Sequence, residues 1–302
     1  MTRQALADFR QTLVAQVTDP ILCIDAGARW GADQAFMALK DEATIFCFDP
    51  DPEECARLQA LEKSGKVHYV PLALSSDGST LALHVTREPA CSSVYPPDPY
   101  LHANYPGLGI IEPVALQLCN SVTVDGFLGD GKIGLLAWMK LDTQGSELDI
   151  LRGAIGNLSK VSMIDIEVEF NPLYVGQPVF SDVDQFLRAQ GFSLWRLPLL
   201  AHYSMGDIPD AHTPVRSDSS PRDKMQTSHP GNGQLFWAQA HYVRTECLPA
   251  HPTIPDRQLV LKTALVASAY GYWDLALMVL GKRSDTSAFA AGLQALLAQG
   301  VG

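Results

Sequence analysis

The sequence predicts an α/β fold in which a mainly parallel sheet is covered by helices on both faces. Short apolar runs alternate with helical patterns along the 302 residues, several of the runs end in aspartate, and a glycine-rich turn follows the first run. Parallel strands need long crossover connections, which the intervening helices supply. Because ligands bind at the carboxyl ends of such strands, the aspartates mark the edge where a site is expected.

The individual elements follow from the apolar runs and from the residues that bound them. Strands are predicted at residues 21–27, 44–50, 66–74, 135–142, 161–170, 192–197 and 234–244. Helices are predicted at residues 1–19, 33–40, 52–65, 146–156 and 180–191. The sheet is therefore expected to contain seven strands.

Two long irregular stretches and a helical tail complete the predicted organisation. Residues 86–120 and 199–233 are expected to lie over the active-site edge as a lid and a wall, because loops of this length are uncommon unless functional or disordered. A solvated, mobile loop fits the composition of the second stretch equally well. Residues 249–302 predict a C-terminal helical hairpin, which packs on the domain of residues 1–248 or forms a homodimer contact.

Charge and cysteine usage disfavour several classes of function. The net charge of −11 argues against nucleic acid or an anionic membrane as a partner. The six cysteines show no paired spacing, so we expect reduced thiols in a cytoplasmic protein without a metal site. The apolar stretch 259–280 contains Lys262 and Asp274, which favours a packed helix over a membrane span.

The turn DAGARWG at residues 25–31 is the first candidate site. Its glycines let a ligand approach the backbone closely, but Asp25 stands where a dinucleotide-binding fingerprint needs glycine. A carboxylate at this point opposes a pyrophosphate and favours a cofactor that carries positive charge, such as S-adenosylmethionine. The same residues also fit a simple strand-to-helix turn in which Asp25 caps the helix.

Asp49 is the second candidate, at the end of the second strand and 22 residues after Gly27. An acidic residue about 20 residues beyond such a turn is placed to accept hydrogen bonds from a ribose diol. Asp49 could instead cap the helix that opens at Pro52, but Asp51 is better placed for that cap.

The third candidate is the stretch LLAWMKLDTQGSELDILRGA, residues 135–154, in which a buried strand ends in a carboxylate. Asp142, Gln144, Gly145 and Glu147 fall within six residues at the expected lip of the sheet. Gly145 allows a sharp turn there. Glu147 lies in the first turn of the next helix, where the helix dipole favours a negative charge.

This third stretch resembles the hallmark segment of the FkbM-type S-adenosylmethionine-dependent methyltransferases. The resemblance covers roughly residues 20–245 and includes IDAGARWG, FDPDPE, VPLALSSDGSTLALHV, IEVEFNPLYVGQPVFSDVDQFLRAQGF and GQLFWAQAHYVR. It implies a class I methyltransferase (Rossmann-like) sheet with six parallel strands and an antiparallel last strand. It also implies methyl transfer from S-adenosylmethionine to a hydroxyl of a sugar, a glycan or a secondary metabolite.

The resemblance also implies site residues by position. The expected cofactor-binding residues are Asp25, Gly27, Ala28, Gly31, Asp49, Asp142 and Gln144. The residues expected to face the substrate are Ser92, Ser93, Glu147, Tyr174 and His202. The catalytic candidates are Asp142 and Glu167, one as the base and the other as a ligand of cofactor or acceptor, with Asp142 favoured beside the methyl group and Glu167 as acceptor ligand or base. Glu167 could instead pair with loop arginines, and His102 and His202 are alternative bases.

One departure from the family pattern concerns Arg29 and Trp30, which stand where the family often has asparagine. Arg29 adds a cation beside a cationic cofactor, unless it points outward or pairs with a carboxylate such as Asp25. A non-catalytic methyltransferase-like binding module is therefore the alternative function. Retention of Asp25, Asp49 and Asp142 together favours the enzyme, and the missing first glycine of the fingerprint argues against an NAD-dependent dehydrogenase.

Overall fold

The computed structural model describes residues 3–129, 135–205, 215–216 and 233–298. The strands are β1 (Ile21–Ala26), β2 (Ala43–Phe48), β3 (Val67–Val70), β4 (Ala73–Leu74), β5 (Leu81–Thr86), β6 (Pro113–Cys119), β7 (Ser121–Val122), β8 (Leu135–Leu141), β9 (Met163–Glu169), β10 (Phe192–Tyr203), β11 (Val215–Arg216) and β12 (Gln234–Arg244). Each of the seven predicted strands has a counterpart in the central sheet, and β10 continues six residues beyond its predicted end at residue 197. The predicted strand at residues 66–74 is divided, because β3 ends at Val70 and β4 pairs with β7 in a separate sheet.

The helices are α1 (Arg3–Val14), α2 (Gln34–Met37), α3 (Pro52–Leu61), α4 (Pro99–Asn104), α5 (Val124–Leu128), α6 (Glu147–Arg152), α7 (Phe180–Ala189), α8 (Arg257–Ala269), α9 (Trp273–Leu280) and α10 (Ser287–Ala298). Caps explain where several of them begin. Asp51 accepts hydrogen bonds from the backbone of Glu53 and Glu54 at the start of α3, and Asp33 accepts one from Ala35 at the start of α2.

The central sheet has the strand order β11–β10–β12–β9–β8–β1–β2–β3. The five strands from β3 to β9 pair in parallel, and β12 is antiparallel to both β9 and β10. Six long strands therefore run in one direction and the last runs in the other. This is the seven-stranded class I methyltransferase sheet that was predicted, extended at one edge by the two-residue β11.

The hydrophobic core is divided by the sheet into two layers. In β1, Ile21 and Cys23 face one layer while Leu22 and Ile24 face the other, since strand side chains alternate. The first layer is completed by α1, α8, α9 and α10, and the second by α5, α6 and α7. Burial of each large aliphatic side chain contributes about 1.5–3 kcal/mol, so helices on both faces fix the strands that carry the site.

The C-terminal segment forms three helices instead of the predicted pair. Residues Val260 to Ala269 of α8 are all buried, including Lys262, whose Nζ lies 3.6 Å from Asp19 Oδ2. These helices share one core with α1 and the sheet, so the segment packs on the domain. A homodimer contact through it stays a prediction. Among the described residues, none of the helices is both long and apolar enough to cross a membrane.

The first long stretch is more regular than the sequence suggests. β6 pairs with β5 as an antiparallel ribbon, and α4 lies between these two strands in the chain. The ribbon is hard to predict because Val114, Leu116 and Leu118 are 63–78% exposed, so their alternation does not mark a buried face. Of the second stretch, residues 199–203 extend β10, and residues 206–214 and 217–232 lie outside the described residues.

Candidate active site

A cavity of about 570 Å³ lies at the carboxyl edge of the sheet, between the ends of β1, β2 and β8 and the β5–β6 ribbon. Its polar side is lined by Gly27, Arg29, Asp49, Asp51, Glu53, Ser92, Asp142, Thr143, Gln144 and Ser146, and its apolar side by Leu72, Leu74, Leu83, Val85 and Leu118. Four of these side chains are acidic and one, Arg29, is basic. The wall therefore suits a ligand with positive charge and an apolar part.

The turn after β1 brings two strand ends into close contact. Gly27 has a φ of +81°, and a Cβ added there would lie 1.8 Å from the carbonyl oxygen of Asp142. The backbone N–H groups of Gly27 and Ala28 both donate to the carbonyl of Phe48. Only glycine fits at residue 27, because any side chain would push the end of β8 away from β1.

Asp25 lies beneath this turn and is 1% exposed. Its Oδ2 accepts a hydrogen bond of 2.8 Å from the backbone of Asp33, whereas its buried Oδ1 has no hydrogen-bond partner. Burial raises the pKa of Asp25 to about 7, although Lys140 nearby opposes that rise. Asp33 rather than Asp25 caps α2, so the simple capping interpretation of Asp25 is wrong.

Asp49 and Asp51 stand together at the end of β2. Asp51 caps α3, as expected, and Asp49 Oδ1 accepts a hydrogen bond from the backbone of Asp51. Arg29 donates to Asp51 Oδ2 over 2.9 Å and lies 3.8 Å from Asp49 Oδ1. Arg29 therefore pairs with a carboxylate, which was one of the two alternatives, and that carboxylate belongs to Asp51 and not to Asp25. Burial raises the pKa of Asp49, and Arg29 acts against that rise.

Gln144 connects the lip of the sheet to its neighbours. It is the one non-glycine residue with positive φ, +60°, in the described ranges. Its Nε2 donates to Asp142 Oδ1 over 3.1 Å and to Glu167 Oε1 over 2.8 Å. Its Oε1 lies 3.0 Å from the Tyr174 hydroxyl, and its carbonyl accepts a 2.6 Å hydrogen bond from Ser93 Oγ. A conformation that costs about 1–3 kcal/mol is thus held by four side chains at the proposed site.

Glu147 supports the same lip from below. Its Oε1 accepts hydrogen bonds from the backbone and the hydroxyl of Thr143, and its Oε2 accepts one from the backbone of Gly145. Burial raises the pKa of Glu147 to about 7. The side chain therefore shapes the turn from Thr143 to Gly145, where Gly145 has a φ of +107°.

Lys140 is a site residue that sequence reasoning missed. Its Nζ lies 3.2 Å from Asp142 Oδ2 and 3.9 Å from Asp25 Oδ1, so one ammonium group faces both carboxylates. These carboxylates raise the pKa of Lys140 above its ordinary value against the effect of burial. The available signal was a lysine inside an apolar strand, LLAWMKL, because a buried ammonium group needs a partner.

The family of the chain is decided by a comparison with protein-family models. The model of the methyltransferase FkbM domain matches residues 25–194, which is more than half of the chain. The chain belongs to the FkbM methyltransferase family. The predicted family is thereby confirmed.

Individual relatives of this FkbM methyltransferase are distant. The chain is 25% identical over 191 residues to the 2-O-methyltransferase NoeI of Sinorhizobium fredii, an alignment that covers 56% of this chain and 76% of that relative. A magnesium protoporphyrin IX methyltransferase from Synechocystis with bound S-adenosylmethionine is 10% identical, with 80% and 78% of the two chains covered and a TM-score of 0.35. A Burkholderia thailandensis didemethyltoxoflavin N1-methyltransferase is 13% identical, with the same coverage and TM-score.

S-adenosylmethionine is the cofactor that this family membership implies, and the cavity fits it. The carboxylates of Asp49 and Asp142 on the wall suit a ribose diol and a cationic group, and the leucines opposite suit an apolar ring. Beneath the wall, Asp25 Oδ1 is buried without a hydrogen bond. In the described ranges, no group of three or more His, Cys, Asp or Glu side chains is arranged to hold a metal ion.

The structure brings some of the predicted site residues to the cavity and leaves others outside it. Gly27, Asp49, Ser92, Asp142 and Gln144 line the cavity. Asp25, Ala28, Gly31, Ser93, Glu147, Glu167, Tyr174, His102 and His202 are outside its wall. Among the second set, Ser93 and Tyr174 are fully buried. Direct contact of these residues with cofactor or acceptor stays a prediction. In the structure they lie next to the carboxyl edge of the sheet or on neighbouring elements.

Proposed function

We propose that this FkbM methyltransferase transfers the methyl group of S-adenosylmethionine to a hydroxyl of a sugar, a glycan or a secondary metabolite. The observation that carries the proposal is the position of Asp142, a carboxylate that follows β8, lines the cavity and has a side chain that is 32% exposed. O-methylation is also what the printed name of the relative from Sinorhizobium fredii states for that protein.

Asp142 is the proposed general base. Its two oxygens lie near Lys140 Nζ, at 3.2 Å, and Gln144 Nε2, at 3.1 Å, so its orientation is held from two sides. A positioned carboxylate within hydrogen-bond reach of the acceptor hydroxyl would take its proton as the oxygen attacks. The bound cofactor supplies an activated methyl group, so the chain has to position, deprotonate and exclude water.

Glu167 is better suited to positioning than to acting as the base. It is 5% exposed, and burial together with Asp142, Glu169 and Glu147 raises its pKa well above the ordinary value. A carboxyl group that keeps its proton cannot take another, but its Oε1 can still accept the hydrogen bond from Gln144. The environments of the two residues thus favour Asp142 as the base and Glu167 as the residue that holds Gln144 in place. The alternative of pairing with a loop arginine has no support in the described contacts.

The remaining roles follow from the cavity wall. Asp49 would hold the ribose, and the close approach of Gly27 to Asp142 would keep the methyl-donating end of the cleft narrow. Ser92 lines the cavity on the side of the β5–β6 ribbon and is the wall residue best placed to contact an acceptor. Tyr174 would act indirectly, since its hydroxyl lies 2.7 Å from the carbonyl of Cys91, next to Ser92, and 3.0 Å from Gln144 Oε1.

The test has a binding step and a turnover step. Calorimetric titration with S-adenosylmethionine and with S-adenosylhomocysteine should show binding, while NADH should show none. Release of S-adenosylhomocysteine is then measured with panels of methyl glycosides, oligosaccharides and phenols. Asp142→Asn should lower turnover at saturating S-adenosylmethionine by at least about 100-fold, the lower end of general-base effects. Turnover is compared at saturation because this carboxylate also lines the wall that faces the cofactor. Asp184→Asn, which alters a 20% exposed carboxylate on α7, is the matched control.

Two results would contradict the proposal. Failure of the wild-type chain to bind either sulfur ligand would remove the methyl-transfer function and leave the binding-module alternative. Turnover by Asp142→Asn at the rate of Asp184→Asn would remove the role of Asp142 as base, although methyl transfer itself would stand.

A further inference from the structure

Five ionisable side chains form a row across the sheet, which we call the charge row. Strand register places Asp25 beside Lys140, Lys140 beside Asp165, Asp165 beside His241, and His241 beside Arg196. Residues paired in register on neighbouring strands point to the same face. The row therefore runs from the turn of the cofactor cavity to β10, with acidic and basic side chains alternating from Asp25 to His241.

The C-terminal helices cover the charge row with two tyrosines. The Tyr270 hydroxyl donates a 2.6 Å hydrogen bond to Asp165 Oδ2, and the Tyr272 hydroxyl lies 2.8 Å from His241 Nδ1. Tyr270 follows the last residue of α8 and Tyr272 precedes α9, so both lie beyond the family match at residues 25–194. These contacts join the tail of the chain to the family domain.

Asp165 is well supplied with partners. Besides Tyr270, its Oδ2 lies 3.2 Å from His241 Nε2, and its Oδ1 accepts a hydrogen bond from Gln239 Nε2. Burial alone would raise the pKa of Asp165, but His241, Lys140 and Tyr270 together lower it to about 2. The carboxylate is thus stabilised mainly by groups other than Lys140, whose Nζ lies within 4 Å of Asp142 and Asp25 instead.

We propose that Tyr270 is a positioning residue of the methyl-transfer site. Its hydroxyl stabilises the Asp165 carboxylate, so that the Lys140 ammonium group stays close to Asp25 and Asp142. Without the Tyr270 hydroxyl, Asp165 loses a donor and attracts Lys140 more strongly. Asp25 and Asp142 then lose part of their counter-charge. This inference rests on the proposed function, since the cofactor is expected to bind beside Asp25.

The sign of the effect follows from the groups that face Asp25. These are Lys140 and Asp142 from the end of β8, Asp33 before α2, Cys47 on β2 and Tyr69 on β3. Lys140 is the cation among them, so its withdrawal favours the neutral carboxyl group. S-adenosylhomocysteine keeps the ammonium group of the cofactor, and a ligand that places this group beside Asp25 binds the ionised carboxylate more tightly than the neutral acid. Affinity should therefore be lost as the pH falls through the pKa of Asp25. Tyr270→Phe should move that loss to higher pH.

The experiment is calorimetric titration of the full chain with S-adenosylhomocysteine between pH 5.5 and 9. In Tyr270→Phe, the midpoint of the affinity loss should rise by about one pH unit, the low end of the effect of a nearby opposite charge. Affinity at pH 7 should then fall about fivefold. Asp165→Asn should move the midpoint in the opposite direction, because it removes the carboxylate that competes for Lys140. Tyr242→Phe, which removes a hydroxyl that donates to Asp184 on α7, in the other core layer, should leave the midpoint within about 0.3 units of wild type.

Opposite shifts separate electrostatic positioning from mere loosening of the tail, which would weaken binding at every pH. An unchanged midpoint in Tyr270→Phe would overturn the inference whatever Asp165→Asn shows, as would shifts of the two variants in the same direction. If Tyr270→Phe does not fold, Gln239→Leu, which removes another donor to Asp165, should raise the midpoint in the same way, and no rise in that variant would overturn the inference. Absence of binding by the wild-type chain would contradict the proposed function instead, so the two failures are distinguishable.

Discussion

Replacement of Gly27 by alanine tests the narrow contact between β1 and β8 on which the site depends. The new Cβ would lie 1.8 Å from the carbonyl oxygen of Asp142 and 2.8 Å from its carbonyl carbon, while real Cβ atoms essentially never come within 3.0 Å of another heavy atom. The end of β8 would have to move away by more than about 1 Å. In addition, a residue with Cβ at the φ of +81° costs about 1–2 kcal/mol.

The expected loss of stability combines these two costs. Overpacking of a tight contact costs about 1–3 kcal/mol, so Gly27→Ala should lower the free energy of unfolding by about 2–5 kcal/mol in total. At about 2 °C for each kcal/mol, the melting temperature should fall by about 4–10 °C. A displacement near 1 Å at the methyl-transfer end should lower turnover by about 100-fold and should also weaken binding of S-adenosylhomocysteine.

Gly65→Ala is the matched control for this prediction. Gly65 also has a positive φ, +68°, but a Cβ added there would have no heavy atom within 4 Å. The control therefore carries the backbone strain without the clash and should retain cofactor affinity. Thermal unfolding and calorimetric titration of both variants measure the difference. Equal melting temperatures and equal affinities for the two variants would refute the inferred contact between the strand ends.

Three further predictions concern the charges around the cavity. Asp51→Ala should destabilise the chain by about 1 kcal/mol through loss of the α3 cap. It should also weaken cofactor binding, because Arg29 would be released toward Asp49. Thermal unfolding and calorimetric titration check both effects, with Asp98→Ala at the cap of α4 as the control. Tyr174→Phe should lower turnover more than cofactor affinity, since its hydroxyl contacts Gln144 and the loop carbonyl of Cys91; an equal fall in both would contradict this. Thermal stability without ligand should fall from pH 5 to pH 8, because burial raises the pKa values of Asp25 and Glu147 in the folded chain to about 7, above their values in the unfolded chain. The stability that these protonated groups contribute is lost as the pH rises through their folded-state pKa values. Stability that rises over this range would contradict the prediction.

Local pattern was sufficient for the central sheet and for the three aspartates at its carboxyl edge. The strand bounds around Asp25, Asp49 and Asp142 follow from apolar runs that end in a carboxylate, and parallel crossovers bring those ends to one edge. The cap at Asp51 is likewise a local feature, since it depends on residues two and three positions ahead. These features depend on spacing along the chain, which the sequence contains directly.

Interactions between residues that are distant in the sequence could not be predicted from spacing along the chain. Arg29 pairs with Asp51 rather than with Asp25, and the choice depends on how the turn after β1 meets the end of β2. The ribbon of β5 and β6 was missed because its exposed side chains leave little burial signal. In the same way, Ser93 and Tyr174 are neighbours of Gln144 only because two long connections fold back over the lip.

The sequence by itself determined the α/β class, the seven strands and the acidic edge, because alternation, capping and crossover length are local or topological constraints. Only the tertiary structure decided that Lys140 stands between Asp25 and Asp142 and that Tyr270 meets Asp165 across 105 positions of the chain. The physical reason is register. The alternation within one strand indicates which of its side chains share a face. The register between neighbouring strands decides which charged side chains lie side by side.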